Sequence, residues 1–400
     1  MVKIDDFAVE SWMDQYETRC KFNIAETCCA SISIDQLRDL SEDKNSQIFD
    51  TSRILNYGPI RGSGDLRNNL ARLYSAKVTT PLPAENILTT PGAIQANYLA
   101  AYALVGPGDH VICHYPTYQS LYEVPKQLGA DVDLWKAKPE NNWIPTIEDL
   151  KALVKPNTKL IILNNPNNPT GAVLGKTFLQ EVIDIASEKN ITLLGDEVYR
   201  PLFHSISPLD KEFPPSLLSM GYSNVIVTGS MSKAYSLAGI RIGWIASRSS
   251  DLIEKIAAAR HYTTISVSYF DEQVAAYALH PSTIHNLLAR NIQLAKTNLA
   301  LLEKFIIKNE DECEWVKPTA GTTAFVKFHR EGKPVDSVDF CKKLLEATGV
   351  MFVPGSTCFG DEFKGYVRIG FVNQTDVVKE GLEAAAKFIR KSLDDVELAA

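Results

Sequence analysis

The sequence predicts an α/β protein: a large domain on a mostly parallel sheet flanked by helices, joined to a smaller, discontinuous α+β domain. Three observations lead there. Between about residues 85 and 250, apolar runs of strand length alternate with helical patterns, as in a parallel sheet with crossover helices. Polar residues able to do chemistry fall just past the carboxyl ends of those runs, where open parallel sheets keep their ligand sites. At 400 residues the chain exceeds one ordinary core, so two lobes are the default.

The elements follow in order. Residues 86–90 read as a strand that turns through Gly92, Ala93 and Ile94 into an apolar helix over 95–105. The strand 110–115 precedes Pro116 and Tyr118. The apolar run 158–164 breaks into Asn165-Pro166-Asn167-Asn168-Pro169-Thr170-Gly171. The run from Ile191 ends at Asp196, with Tyr199 three residues on. The β-branched run from Asn224 stops in a Gly/Ser turn and delivers Lys233, with Arg241 eight residues later. Long helical patterns cover about 251–280 and 283–308. A strand over 321–328, a helix over 337–348, the segment 350–354, a strand over 366–371 and a closing helix over 375–392 form the smaller lobe. The first 35 residues are expected to pack back onto it, giving domains of 36–285 and of 1–35 with 286–400.

A lysine at the mouth of a buried strand cannot be solvated like a surface lysine, and Schiff-base chemistry is one of the few reasons to keep one there. The plain alternative is a loop lysine beside a core strand. The surrounding blocks bear on the choice. Asn167-Asn168-Pro169-Thr170-Gly171, Asp196-Glu197-Val198-Tyr199 and Ser230-Met231-Ser232-Lys233 together resemble the fold-type-I pyridoxal-phosphate enzymes, in the class I/II aminotransferase branch. The likeness runs from about Tyr57 to Arg368, with 28 residues from Asn168 to Asp196 and 37 from Asp196 to Lys233.

That resemblance implies an aspartate-aminotransferase-like fold and pyridoxal 5'-phosphate as cofactor. It also implies transfer of the amino group of an α-amino acid to a 2-oxo acid through a Lys233 Schiff base. In this likeness Lys233 both anchors the cofactor and moves the α-proton. Asp196 faces the ring nitrogen and keeps it protonated. Asn168 and Tyr199 serve the phenolic oxygen, and Tyr118 covers the ring. Gly92, Ala93 and Ile94 at a helix start, with Ser230 and Arg241, take the phosphate. Tyr57 matches the tyrosine that reaches the cofactor phosphate of a neighbouring subunit, which implies a homodimer with shared sites. Arg368 matches the arginine that grips the substrate carboxylate; alone it would read as a strand arginine in a surface ion pair. Asn168 borders the same substrate position. The Gly62 and Gly64 pair lacks the preceding strand and third glycine of a nucleotide loop.

The amino-terminal region departs from the family, whose members carry a Gly-rich segment there. This chain has Trp12-Met13-Asp14-Gln15-Tyr16-Glu17 and Asn23-Ile24-Ala25-Glu26-Thr27-Cys28-Cys29. That opening is loosely similar to capreomycidine synthase and the arginine-directed members of the superfamily. Glu26, or Glu17, entering the cleft would favour a cationic side chain on the substrate; the plain alternative is a solvated helix face for Glu17 and a local cap for Glu26. The cofactor anchors do not choose among reactions. The alternatives are therefore a lyase or cyclase acting on an amino acid, of arginine-cyclase or C–S lyase type, and a non-catalytic sensor. The sensor normally carries a DNA-binding domain for which no residues are spare.

Composition excludes other classes. Hydrophobic content of 45% and charged content of 22% describe a globular protein, and the net charge of −7 offers no basic face to nucleic acid or anionic membranes. The start, Met1 to Phe7, has acids where a signal peptide needs an apolar stretch, and no apolar run is long enough to span a bilayer. Seven cysteines without a Cys-x-x-Cys pair or histidine clusters imply reduced core thiols, no metal site and a cytoplasmic protein. Cys28 and Cys29 read as packing residues.

Overall fold

The computed structural model describes residues 5–76 and 78–400. Residues 1–4, part of the leader argument above, lie outside the described residues.

The amino-terminal segment opens with the helix Ala8–Tyr16 and the two-residue strand β1, Phe22–Asn23. A seven-stranded sheet follows: β2 (Ile87–Thr90), β3 (His110–Tyr115), β4 (Asp131–Lys136), β5 (Thr158–Asn164), β6 (Thr192–Asp196), β7 (Val225–Ser230) and β8 (Gly243–Ser247). Their spatial order is β2-β8-β7-β6-β5-β3-β4. Only β8 runs antiparallel to its neighbours, so the sheet is mostly parallel as expected.

Both faces of this sheet are covered, which is why the inner strands β6, β7 and β8 are buried along their whole length, while the edge strand β4 is only partly buried. Leu160 and Ile162 of β5 join one buried layer with Leu99 and Ile256, while Ile161 and Leu163 join the other with Val182 and Leu179. The strand period of two thus feeds two helix layers from one run.

The smaller lobe carries β9 (Cys313–Trp315), β10 (Thr323–Arg330), β11 (Lys333–Pro334), β12 (Val350–Met351), β13 (Val353–Pro354) and β14 (Tyr366–Gly370). Its antiparallel order is β11-β10-β14-β13, with β9 on the other side of β10. β1 pairs in parallel with β12, and Trp12 Nε1 donates to the Phe352 carbonyl at 2.9 Å, so the amino-terminal segment lies against this lobe.

Three expected elements differ. The stretch 251–280 is two helices, Ser250–Arg260 and Tyr269–Ala278. The β-branched Thr263-Thr264-Ile265 run disfavours a helix, Ile265 sits at φ +59°, and the Ser268 side chain caps the next helix. Segment 350–354 splits because β12 pairs with β1 while β13 pairs with β14. The helix expected over 95–105 spans Gly92–Leu104, so Gly92, Ala93 and Ile94 form its first turn. Among the described residues, no helix is long and apolar enough to cross a membrane.

Candidate active site

The carboxyl ends of β5, β6 and β7 open into a cavity of about 370 Å³ closed on its far side by the amino-terminal segment and β14. Asp196 ends β6 and is 4% exposed. Its Oδ2 accepts from Asn97 Nδ2 at 2.9 Å and its Oδ1 from the Val198 N–H at 3.1 Å. Burial pushes the carboxyl up to about 6, against the pull of those two donors and of Lys233.

Lys233 follows β7 by three residues. Burial pulls its amine down, but Cys28, Tyr199 and Glu26 together outweigh that and hold it above the usual lysine range. The amine donates to Thr27 Oγ1 at 2.6 Å and to Cys28 Sγ at 3.5 Å. Tyr199, buried beside it, is raised first of all by burial.

The Gly92–Leu104 helix begins without a side-chain cap, leaving its first N–H groups free of one. Gly92 has φ +81°, and a Cβ there would lie 2.7 Å from Arg241 Nη2. Beside it, Ser230 Oγ donates to Ser232 Oγ at 2.8 Å and Arg241 Nη1 to the same oxygen at 3.3 Å. A free helix start, two hydroxyls and a guanidinium form an anion cradle.

Tyr118 lines the opposite side; its hydroxyl donates to Glu10 Oε1 at 2.6 Å and its ring lies 4.8 Å from that of Phe7. Asn168 is held by its N–H to Asn164 Oδ1 at 2.8 Å. Its side-chain oxygen accepts from Arg368 Nη1 at 3.5 Å. Arg368, on β14 and 3% exposed, also donates from Nη2 to the Ala25 carbonyl at 2.9 Å. Its Nε hydrogen is buried without a partner.

Lys233, Asp196, Tyr199, Asn168, Tyr118, Ala93, Ile94, Ser230, Arg241, Arg368 and Glu26 therefore meet in one cavity, with Gly92 in contact with Arg241 behind the wall. Tyr57 does not join them: it is 81% exposed and outside the cavity of its own chain. Glu26 lines the wall but also caps locally, its Oε1 accepting the N–H groups of Thr27 at 2.6 Å and Cys28 at 3.0 Å. Burial raises its carboxyl, and Lys233 with those donors more than reverses the shift. Glu17 is exposed at the cavity mouth.

Cys28 requires a correction. It is not only a packing residue, because the turn held by Glu26 carries its thiol into the cavity beside Lys233. Cys29 stays in the core. All seven cysteines are free, and six are buried. Sequence reasoning also missed Thr27, Ser232 and Asn97. Asn97 had a signal, a polar side chain on the otherwise apolar buried face of its helix.

The residues fit pyridoxal phosphate. The cradle suits its phosphate, the buried Asp196 suits a protonated ring nitrogen, and the Lys233 amine suits its aldehyde. Comparison with known proteins agrees. A family profile described as "Aminotransferase class I and II" matches residues 32–384. Capreomycidine synthase of Streptomyces vinaceus is 30% identical over 379 residues, 95% of this chain and 92% of that protein. An aspartate aminotransferase of Pyrococcus horikoshii is 30% identical over 339 residues, 84% of this chain and 83% of that protein. The crystal structure of a PLP-dependent aminotransferase from Streptococcus suis superposes with a TM-score of 0.88 at 39% identity, covering 97% of this chain and 98% of that one. The chain belongs to the class I and II aminotransferase family and is a pyridoxal-phosphate-dependent enzyme.

Proposed function

We propose that this enzyme is an aminotransferase moving the amino group of an α-amino acid to a 2-oxo acid. The observation that carries the reading is the Lys233 amine sharing one cavity with the Asp196 carboxylate and the Arg368 guanidinium. When bound, pyridoxal phosphate supplies an aldehyde for an amine and a ring that takes up the electron pair left as the α-proton departs. Asp196, ionised, holds a proton on the ring nitrogen. Tyr199 and Asn168 offer hydrogen bonds to the phenolic oxygen, and Tyr118 packs over the ring face. Arg368 receives the substrate carboxylate, which gives its unpartnered Nε hydrogen an acceptor. That clamp sets the α-carbon before Lys233, whose amine takes the α-proton and returns it. The Gly92–Leu104 helix start, Ser230 and Arg241 fix the phosphate end.

The proposal includes a homodimer in which Tyr57 serves the partner's site, supported by its exposure. It includes a large domain of 36–285, a small domain of 1–35 with 286–400, and residence in the cytoplasm. The pairing of β1 with β12 supports the division, and the free thiols support the compartment.

A second reading, a lyase or cyclase of an amino acid, is favoured by the turn at Glu26, Thr27 and Cys28 that stands over Lys233 in place of a Gly-rich segment. Glu26 there supports a substrate with a cationic side chain. The non-catalytic sensor is set aside, since the chain is an enzyme.

Borohydride trapping followed by mass spectrometry tests the common step: the pyridoxyl adduct is expected on Lys233, and an adduct elsewhere defeats the reading. Incubation with single amino acids and no acceptor then separates the reactions. One equivalent of the matching 2-oxo acid per site supports amino transfer. Continued release of ammonia, pyruvate or a ring product supports the second reading.

A further inference from the structure

Both hydrogen bonds of the Lys233 amine go to the amino-terminal segment rather than to the neighbouring strands, 2.6 Å to Thr27 Oγ1 and 3.5 Å to Cys28 Sγ. The segment is held there by its own side chains. Asn23 Oδ1 accepts the N–H groups of Ala25 at 3.2 Å and Glu26 at 3.1 Å, and Glu26 Oε1 accepts those of Thr27 and Cys28. The Cys29 N–H reaches the Lys233 carbonyl at 3.1 Å, tying the turn to the lysine's own backbone.

Thr27 is 5% exposed, so its hydroxyl depends chiefly on partners within the protein. Toward an ammonium the hydroxyl can only accept. Tyr199 lines the same cavity, and the Thr27 hydroxyl favours its ionised form.

We propose that Thr27 is a positioning residue: its oxygen, with the Cys28 sulfur beside it, holds the Lys233 amine whenever that amine is not joined to the cofactor. The inference rests on the role given to Lys233 above. A lysine stem has four rotatable bonds, and an amine free to explore them loses its line to the substrate α-carbon. A docked amine keeps that line between taking the proton and giving it back.

Thr27→Val keeps the shape and removes the oxygen; Thr27→Ser keeps the oxygen and removes the methyl group. In cofactor-free enzyme, the rate of borohydride-trapped adduct formation between Lys233 and added pyridoxal phosphate is read by mass spectrometry across a pH series. Losing the acceptor makes the ammonium less stable, so Thr27→Val should shift the profile down by about one pH unit and speed trapping near neutral pH several-fold. In loaded enzyme the same variant should exchange solvent into an α-deuterated amino acid about tenfold more slowly, using whichever amino acid of a standard panel the wild type exchanges fastest. Thr27→Ser should behave as wild type in both. Unchanged profiles in Thr27→Val overturn the proposal. So does Thr27→Ser matching Thr27→Val, which would assign the effect to the methyl group. An adduct on another side chain in the wild type defeats the role of Lys233 itself, so the two failures are distinguishable.

Discussion

The Asn97 carboxamide is wedged between Asp196 and Thr228: its nitrogen donates to Asp196 Oδ2 at 2.9 Å and its oxygen accepts from the Thr228 hydroxyl at 2.7 Å. Thr228 thereby decides which end of the amide faces the carboxylate. Asn97→Ala removes a donor from Asp196 and strands a buried hydroxyl, a loss of about 1–3 kcal/mol. The cofactor dissociation constant should rise roughly tenfold in a fluorescence titration. An unchanged constant would mean that the amide does not tune Asp196.

Asp196→Asn should oppose stability and activity. Burial lifts the carboxyl from 3.8 to about 6 in the folded chain. As pH rises, the unfolded chain ionises first, so folding loses stability between those values and the penalty is complete above the higher one. Its size is about 3 kcal/mol. Asparagine carries no such penalty. Without cofactor the variant should therefore be the more stable protein near neutral pH, and the difference should vanish below about pH 4, as read by urea unfolding. With cofactor its turnover should fall about 10³-fold. A constant stability difference across that range would show that the carboxylate is not desolvated.

Arg368→Ala removes a charged donor from the proposed carboxylate position while the cradle at Gly92 and Arg241 is untouched. The Michaelis constant should rise about 10- to 100-fold, with cofactor affinity changed by less than about threefold. Steady-state kinetics beside a cofactor titration checks this; equal damage to both would place the arginine elsewhere in the mechanism.

Gly243 offers the sharpest packing test. A Cβ there would meet the Gly92 carbonyl carbon at 2.4 Å and the Ala93 nitrogen at 2.6 Å, both backbone. No side chain can swing aside, so β8 or the helix start must move. Gly243→Ala should cost about 2–4 kcal/mol and weaken cofactor binding more than tenfold. Gly64→Ala is the control: its Cβ meets nothing within 4 Å, at the first position of a helix. Its melting temperature should hold or rise slightly.

The central sheet was legible because its strands are covered on both faces. Runs such as residues 160–163 cannot alternate with polar residues when each side chain meets a helix layer, so they stand out as unbroken apolar segments. The helices Ser337–Thr348 and Thr375–Ser392 were legible for the opposite reason, since each leaves one face in water and shows its period. The break at 261–268 was not, because an apolar pattern continues across it while the β-branched run and the Ser268 cap act locally. Split pairing at 350–354 depends on which distant strand each half meets.

By itself, the order of residues determined the sheet, the chemistry stationed at its strand ends and the kind of cofactor those groups suit. Strand length, turn residues and side-chain type are local properties, and they place Asp196 and Lys233 at carboxyl ends without reference to anything distant. Only the tertiary structure decided what faces the lysine. Thr27 and Cys28 stand some 200 positions from Lys233 (206 and 205) and reach it because a two-residue strand pairs with β12 and a glutamate folds the turn back. Contacts between segments that far apart depend on how separately folded layers dock, which no local pattern encodes.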